Sequence, residues 1–255
     1  MKKLAWATIL AATASTSVFA GEYQSQVGLD LGQNERDTSA TDTLRSKHAT
    51  LVGTFYTRKV DTSKGPLAEA AFLDKATDFT AYYTRNDADS DDVNLDDSYG
   101  MSGRIVNDDD WILELAYDYD DSANVGIGIG KYITDTLDIV FSYTGNKDDD
   151  EQTFAAKVHG LSGKFGYNAY FAFLEQEQYS GNKAAGDITY YLNDNLGFGF
   201  QANTESLEEM NHTGYGLFAD WFVKENIELK LSADRVDHEM ELTEYNLVLG
   251  AAMRF

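Results

Sequence analysis

Along most of this chain, apolar residues alternate one for one with polar or small ones. Leu196, Phe198, Phe200 and Ala202 fall on one side of the segment 196–203, with Gly197, Gly199, Gln201 and Asn203 on the other. Segments 111–118, 137–144 and 227–234 alternate as strictly, and 125–130 and 165–173 do so with small partners. The chain ends in the same way. Tyr245, Leu247, Leu249, Ala251, Met253 and Phe255 are interleaved with Asn246, Val248, Gly250, Ala252 and Arg254. A period of two is that of a β-strand with two unlike faces. The pattern predicts fourteen strands after Gly21, the rest lying at 22–32, 47–57, 76–86, 97–106, 151–161, 183–192, 212–223 and 243–255. Twelve is the alternative count, because 22–32 and 47–57 alternate least clearly.

The connections between these segments come in two kinds. One set is short and made of turn formers: 107–110, 134–136, 162–163, 193–195 and 224–226. The other set is longer and more polar: 33–46, 87–96, 119–123, 146–150, 176–182, 204–211 and 235–242. Three hairpins repeat one form, at 132–139, 191–198 and 222–229: an aromatic ends a strand, an acidic turn follows, and Leu or Ile restarts the alternation. The segment 64–75 breaks the pattern. It holds the only proline, Pro66, followed by helix formers, and Leu67, Ala70, Ala71 and Phe72 make a stripe. It reads as a short helix or as an unusually long hairpin turn.

The N-terminus adds a compartment. Met1-Lys2-Lys3 is a basic start, an apolar stretch follows, and Val18-Phe19-Ala20 suits signal peptidase. Residues 1–20 are therefore expected to be a cleaved signal peptide, with residues 21–255 as one domain. No later stretch is apolar enough for a helical membrane span. The absence of Cys excludes a lipidated cysteine, disulfides and thiolate metal sites. The mean hydropathy of −0.41 suits a membrane barrel, in which only alternate residues face lipid. The net charge of −23 excludes nucleic acid as a partner, since that affinity comes from Lys and Arg on phosphates.

The signal peptide, the alternating strands and the terminal Phe255 resemble those of bacterial outer-membrane β-barrels. Gly65-Pro-Leu-Ala-Glu-Ala-Ala-Phe-Leu73 and the aromatic–acidic turn hairpins resemble porins of marine gammaproteobacteria. The resemblance covers essentially the whole chain. It implies an all-β transmembrane antiparallel up-and-down barrel in the Gram-negative outer membrane. Short turns and both termini would face the periplasm, and outer-membrane lipid and lipopolysaccharide would surround the wall. It also implies that Phe255 is the assembly signal read by the barrel-assembly machinery, and that small hydrophilic solutes pass by diffusion. The chain is shorter than the trimeric porins of about sixteen strands and lacks a long loop to form their constriction. A monomer or small homo-oligomer is expected.

Strand phase gives the candidate lumen residues. The charged ones are Asp30, Arg104, Glu114, Asp118, Asp138, Lys157, Lys164, Asp187, Asp220, Glu228, Lys230, Asp234 and Arg254, joined by Gln24, Gln26 and His159. Charge is costly against lipid, so a water-filled interior is its natural place. Acids outnumber bases, which implies a weak preference for cations. Inward Tyr56, Tyr82, Tyr170, Tyr191, Phe218 and Phe222 either stack on sugars, making a channel for short saccharides, or simply fill space. A plugged structural or surface-interaction barrel is the remaining alternative. No cofactor and no metal are expected. The acidic run 87–97 lacks the glycine and the terminal glutamate of a calcium loop, with Ser98 at the twelfth position. No enzyme activity is expected either. The four His are scattered, and Asp237 and His238, as neighbours on a strand, point to opposite faces.

Overall fold

The computed structural model describes residues 21–37, 43–88, 96–146, 151–176, 179–207, 210–239 and 242–255. The expected signal peptide and most of the acidic runs at 87–97 and 147–151 lie outside them. The strands are β1 (Glu22–Asp37), β2 (Thr43–Asp61), β3 (Asp78–Ala88), β4 (Ser98–Val106), β5 (Trp111–Asp120), β6 (Ser122–Thr134) and β7 (Leu137–Asn146). They continue as β8 (Gln152–Ser162), β9 (Phe165–Gln176), β10 (Tyr179–Asn193), β11 (Leu196–Leu207), β12 (Met210–Lys224), β13 (Ile227–His238) and β14 (Leu242–Arg254). Each is antiparallel to its sequence neighbours, and β1 pairs with β14, so the sheet is a closed barrel of fourteen strands. The two strands with the weakest alternation, β1 and β2, pair with each other from Ser25 opposite Phe55 to Asp37 opposite Thr43, and again at Glu22 and Tyr23 beyond a register shift.

The closing seam runs from Gln26 opposite Arg254 to Asp37 opposite Thr243. Phe255 completes it. Its N–H donates to the Ser25 carbonyl at 2.8 Å, and its carbonyl accepts from Gln24 and Ser25 at 2.5 and 3.1 Å.

Alternation produces two surfaces. Phe141, Met101, Leu217 and Val125 stand on the outer wall, all well exposed, and meet lipid in a membrane. On the inner wall small residues make room for larger neighbours. A Cβ on Gly199 would lie 2.0 Å from the Phe218 ring, and one on Gly130 would lie 2.4 Å from the Ile139 carbonyl oxygen.

The longer connections differ from expectation. Much of 33–46, 119–123, 176–182, 204–211 and 235–242 continues the strands. The β5–β6 turn is a single residue, Asp121, at φ 61°, a conformation that Asp tolerates better than most. Beyond the lipid both faces of a strand can be polar, so the apolar period fades while the backbone ladder goes on. Side-chain pairs mark these stretches: Glu35 with Arg45 at 3.1 Å, Asn34 with Asn246 at 2.7 Å, and Arg36 with Glu244.

Packed apolar side chains lie inside the barrel near its short-turn end. One cluster joins Tyr23, Tyr56, Val60, Ala70 and Ala76, and a second joins Phe72, Leu73, Ile112, Tyr132 and Val140. Both draw on the segment between β2 and β3.

Closure at Phe255 makes one prediction. Deleting Phe255 removes the three backbone bonds at the short-turn end of the β1–β14 seam, leaving Gln24 and Ser25 unpaired there. The fraction of protein reaching the compact, heat-modifiable form on a gel should fall several-fold. An unchanged fraction would show that the remaining seam closes the barrel unaided.

Candidate functional site

The connection between β2 and β3 is not a simple turn. Pro66 opens a single helical turn over Leu67–Glu69, continued by Ala70–Leu73. Proline suits this place because it has no N–H to leave unpaired and its φ is already near helical. Lys75, at φ 50°, ends the helix and turns the chain toward β3. Of the two readings of this segment, the short helix is the one present, and Leu67, Ala70, Phe72 and Leu73 are buried on it.

This segment is tied to strands all round the barrel. Its Leu67 N–H donates to the Asp194 carbonyl in the β10–β11 turn at 2.8 Å. Arg254 of β14 donates to the Leu67 carbonyl at 2.8 Å, and Tyr132 of β6 donates to the Phe72 carbonyl at 3.0 Å. The Glu69 carboxylate is held at both oxygens, by the Tyr191 hydroxyl of β10 at 2.6 Å and by His159 of β8 at 2.9 Å. The Phe72 ring stacks on His159 at 3.8 Å and on Tyr132 at 5.5 Å. At the rim, Lys75 reaches Asp110 at 2.7 Å and Asp135 at 2.9 Å, in two further turns. Those hydrogen bonds, that to Asp110 foremost, hold the lysine above its usual range, and the lysine holds Asp135 below the carboxylate range. In a closed sheet β6, β8, β10 and β14 stand apart around the circumference. A segment bonded to all four crosses the mouth.

The expected lumen residues can now be placed. Arg104 on β4 pairs with Asp138 on β7, and Lys157 on β8 pairs with Glu114 on β5 at 3.1 Å. Strands so far apart meet only through the interior, so these side chains point inward. Arg104 also bonds Glu114 at 2.7 Å, which makes a balanced network of two acids and two bases on the β4–β8 wall. Asp118, beside it, accepts from Asn124 at 2.9 Å.

The opposite wall is different. Asp187 accepts from Asn168 at 3.1 Å and Asp234 from Gln201 at 2.5 Å, both neutral donors. Asp220 lies opposite Lys230 in register, while the Lys230 ammonium is 3.4 Å from Glu228. Among the described residues Asp30, Asp187, Asp220 and Asp234 make no ion pair. Oε2 of buried Glu228 has no hydrogen-bond partner among the described residues. Asp187, Asp220 and Glu228, together with Glu69, Lys230 and Arg254, line a polar chamber of about 440 Å³ directly above the segment. Lys164 lies elsewhere. It sits in the β8–β9 turn and donates to the Leu192 carbonyl at 3.0 Å, because the strand ends at Ser162 and the period no longer applies.

Three of the six inward aromatics are taken up by packing. Tyr56 packs edge-on against Tyr23, Tyr191 binds Glu69, and Phe222 lies under the Arg254 guanidinium. Glu69, Tyr23 and Tyr132 have parts in the site that the alternation did not single out. A lone carboxylate within the apolar Leu67–Leu73 stripe was the available signal for Glu69. As for Asp237 and His238, they face opposite ways: Asp237 bonds Arg235 at 2.7 Å on the outside, and His238 faces Glu244 at 3.3 Å inside.

A family model described as "Putative general bacterial porin" matches residues 1–162. The chain belongs to that family. It is an outer-membrane porin. No curated protein sequence matches it. The outer membrane protein Omp33 of Acinetobacter baumannii is similar in fold, with a TM-score of 0.66 and 21% identity over 93% of this chain and 100% of that one. The translocator domain of the autotransporter NalP from Neisseria meningitidis is also similar, with a TM-score of 0.51 and 11% identity over 98% of this chain and 94% of that one. At these identities the likeness concerns the barrel alone.

The porin's inserted segment can be loosened selectively. Glu69→Ala strands the Tyr191 hydroxyl and His159, and each unsatisfied buried group costs about 1–3 kcal/mol. Hydrogen exchange should speed up at the amides of 67–75 and stay slow in the strands. Unchanged exchange would mean that burial of Leu67, Phe72 and Leu73 holds the segment without the carboxylate.

Proposed function

We propose that this porin is a restricted diffusion channel for small hydrophilic solutes, weakly preferring cations, with the segment 66–75 setting the rate of passage. One observation carries the reading: a lumen lined with charged and polar groups is crossed at its short-turn mouth by a helical segment bonded to β6, β8, β10 and β14. The charged wall supports an aqueous path, since such groups are costly to bury dry. The crossing supports a narrow one. In this reading the short-turn end and both termini face the periplasm, as in other bacterial barrels, and Phe255 is the strand end met by the assembly machinery. The protein works as a monomer or a small homo-oligomer.

The cation preference has a structural source in this reading. On the β4–β8 wall, Arg104 and Lys157 offset Glu114 and Asp138. On the other wall Asp30, Asp187, Asp220 and Asp234 outnumber the nearby bases. A mouth of one sign concentrates counter-ions within low-dielectric walls. The packing of Tyr56, Tyr191 and Phe222 weighs against a saccharide track. The many ties on the segment support a second reading, in which the barrel is fully plugged and acts as a structural or surface-interaction barrel.

Reversal potential in a salt gradient tests the preference. The wild type should favour cations, less so as salt rises and the Debye length falls below about 10 Å. Asp187→Asn with Asp220→Asn and Asp234→Asn should remove most of the preference. Asp138→Asn should not act in the same way, since it chiefly frees Arg104. An anion preference in the wild type would contradict the charge reading. A barrel that never conducts would favour the plug.

A further inference from the structure

The chamber above the inserted segment has an unequal supply of hydrogen-bond donors and acceptors. Four carboxylates line it, those of Glu69, Asp187, Asp220 and Glu228, against the basic groups of Lys230, Arg254 and His159. The basic groups are occupied. Arg254 donates to Gln26 and to the Leu67 carbonyl, and lies over the rings of Tyr23 and Phe222 at 4.6 and 4.4 Å. His159 is taken by Glu69 and by the Phe72 ring. The Lys230 ammonium is 3.4 Å from Oε1 of Glu228.

The acceptors are less fully used. A carboxylate only accepts, so the amides beside it must present nitrogen. Asn168 donates Nδ2 to Asp187 at 3.1 Å, and Gln201 donates Nε2 to Asp234 at 2.5 Å, which leaves both amide oxygens as acceptors. Among the described residues Asp220 accepts no hydrogen bond and makes no ion pair. Glu228 is 2% exposed, yet its Oε2 is unbonded. A buried carboxylate oxygen without a donor is costly, so the lining calls for a donor from outside the chain. The Phe218 ring, which lies over Gly199, adds an aromatic face to the same chamber.

We propose that this chamber is a binding site for small organic cations rich in N–H donors, guanidinium or primary ammonium, seated on Asp220 and Asp187. It deepens the channel reading and rests on it for access, since solutes reach the chamber through the lumen. The lining selects against other ligands. A bare metal ion needs several ligands converging on one point, and among the described residues no group of three His, Asp or Glu does so. An anion needs donors, and those here are engaged. A guanidinium instead brings five N–H groups in a plane, which fit a carboxylate in pairs, and its flat cation suits the Phe218 ring. The chamber, at about 440 Å³, falls in the range of small-molecule sites, roughly 300–1,000 Å³. A preference arising from net charge alone treats all monovalent cations alike. A seat of open acceptors separates them by their N–H groups.

Ligand-observed NMR of the full-length protein in detergent, titrated with methylguanidine and separately with tetramethylammonium, tests this. The two ions carry the same charge, and only the first has N–H donors. Methylguanidine should bind saturably and about tenfold more tightly than tetramethylammonium, because only it forms charge-assisted hydrogen bonds. Asp187→Asn with Asp220→Asn should weaken methylguanidine binding by about tenfold or more. Asp187→Asn alone should lose less. Heat-modifiable migration on a gel checks that each variant is a closed barrel, and if the double variant is not, the single variant and the comparison of the two ions decide. Asp108→Asn with Asp109→Asn, in an exposed turn, removes the same charge outside the chamber and should leave binding unaltered. Equal binding of the two ions overturns the proposal, because it marks a general attraction of cations. So does affinity unchanged in the double variant. So does a lack of saturable binding, which assigns the chamber to water. Conductance steps in potassium chloride test the channel reading separately. Steps without methylguanidine binding overturn the site and leave the channel, whereas binding without steps upholds the site and removes the channel.

Discussion

Closure of the sheet is the constraint on which the rest of the structure depends. In hydrocarbon no water is present to satisfy an exposed N–H or carbonyl, so strands cross a membrane only when every edge is paired. Here the last edge is sealed by β1 on β14 and by the Phe255 backbone. A closed sheet has an inside and an outside, and a period of two assigns alternate residues to each. The acidic composition follows from that division. Charge has no place on the outer wall at lipid depth, so it collects in the lumen and beyond the ends of the strands.

A lumen wide enough for water has no continuous apolar core, and this shapes how the inserted segment is held. Leu67, Phe72 and Leu73 are buried, but the apolar packing is small: Phe72 and Leu73 join one cluster near the mouth and Ala70 another. Polar ties supply the orientation. Burying the Glu69 carboxylate is costly unless it is bonded, and Tyr191 and His159 occupy its two oxygens. Such a group adds less to net stability than to uniqueness: other placements of the segment leave the carboxylate and its donors unsatisfied. Arg254 serves both parts of the structure, pairing with Gln26 across the closing seam at 2.9 Å and holding the Leu67 carbonyl. The edge that completes the barrel therefore also fixes what crosses it.

How much was legible in the sequence depended on range. Period-two alternation is local, so all fourteen strands were readable, including β1 and β2 despite their polar ends. Pro66 and the Leu67–Phe72 stripe marked a helix for the same reason. The strand extensions past the lipid were not readable, because a polar ladder such as Glu35 with Arg45 carries no apolar period. Lys164 was misplaced by one turn boundary, where phase is lost. The grouping of Glu69 with His159 and Tyr191 joins residues 90 and 122 positions apart, and no spacing rule reaches that far. The division of the lumen into a paired wall and an acid-rich wall is likewise a property of closure. Phase alone assigns Asp138 and Asp187 equally to the interior, though only Asp138 has an arginine.

The central claim is that the segment 66–75 limits passage through an otherwise open, charged lumen. Single-channel conductance in planar bilayers tests it most directly, comparing the wild type with a variant in which 66–75 is replaced by a Gly-Ser linker of equal length. The account predicts small steps for the wild type and steps several-fold larger for the variant, with the cation preference retained. Equal conductance in the two proteins would contradict it.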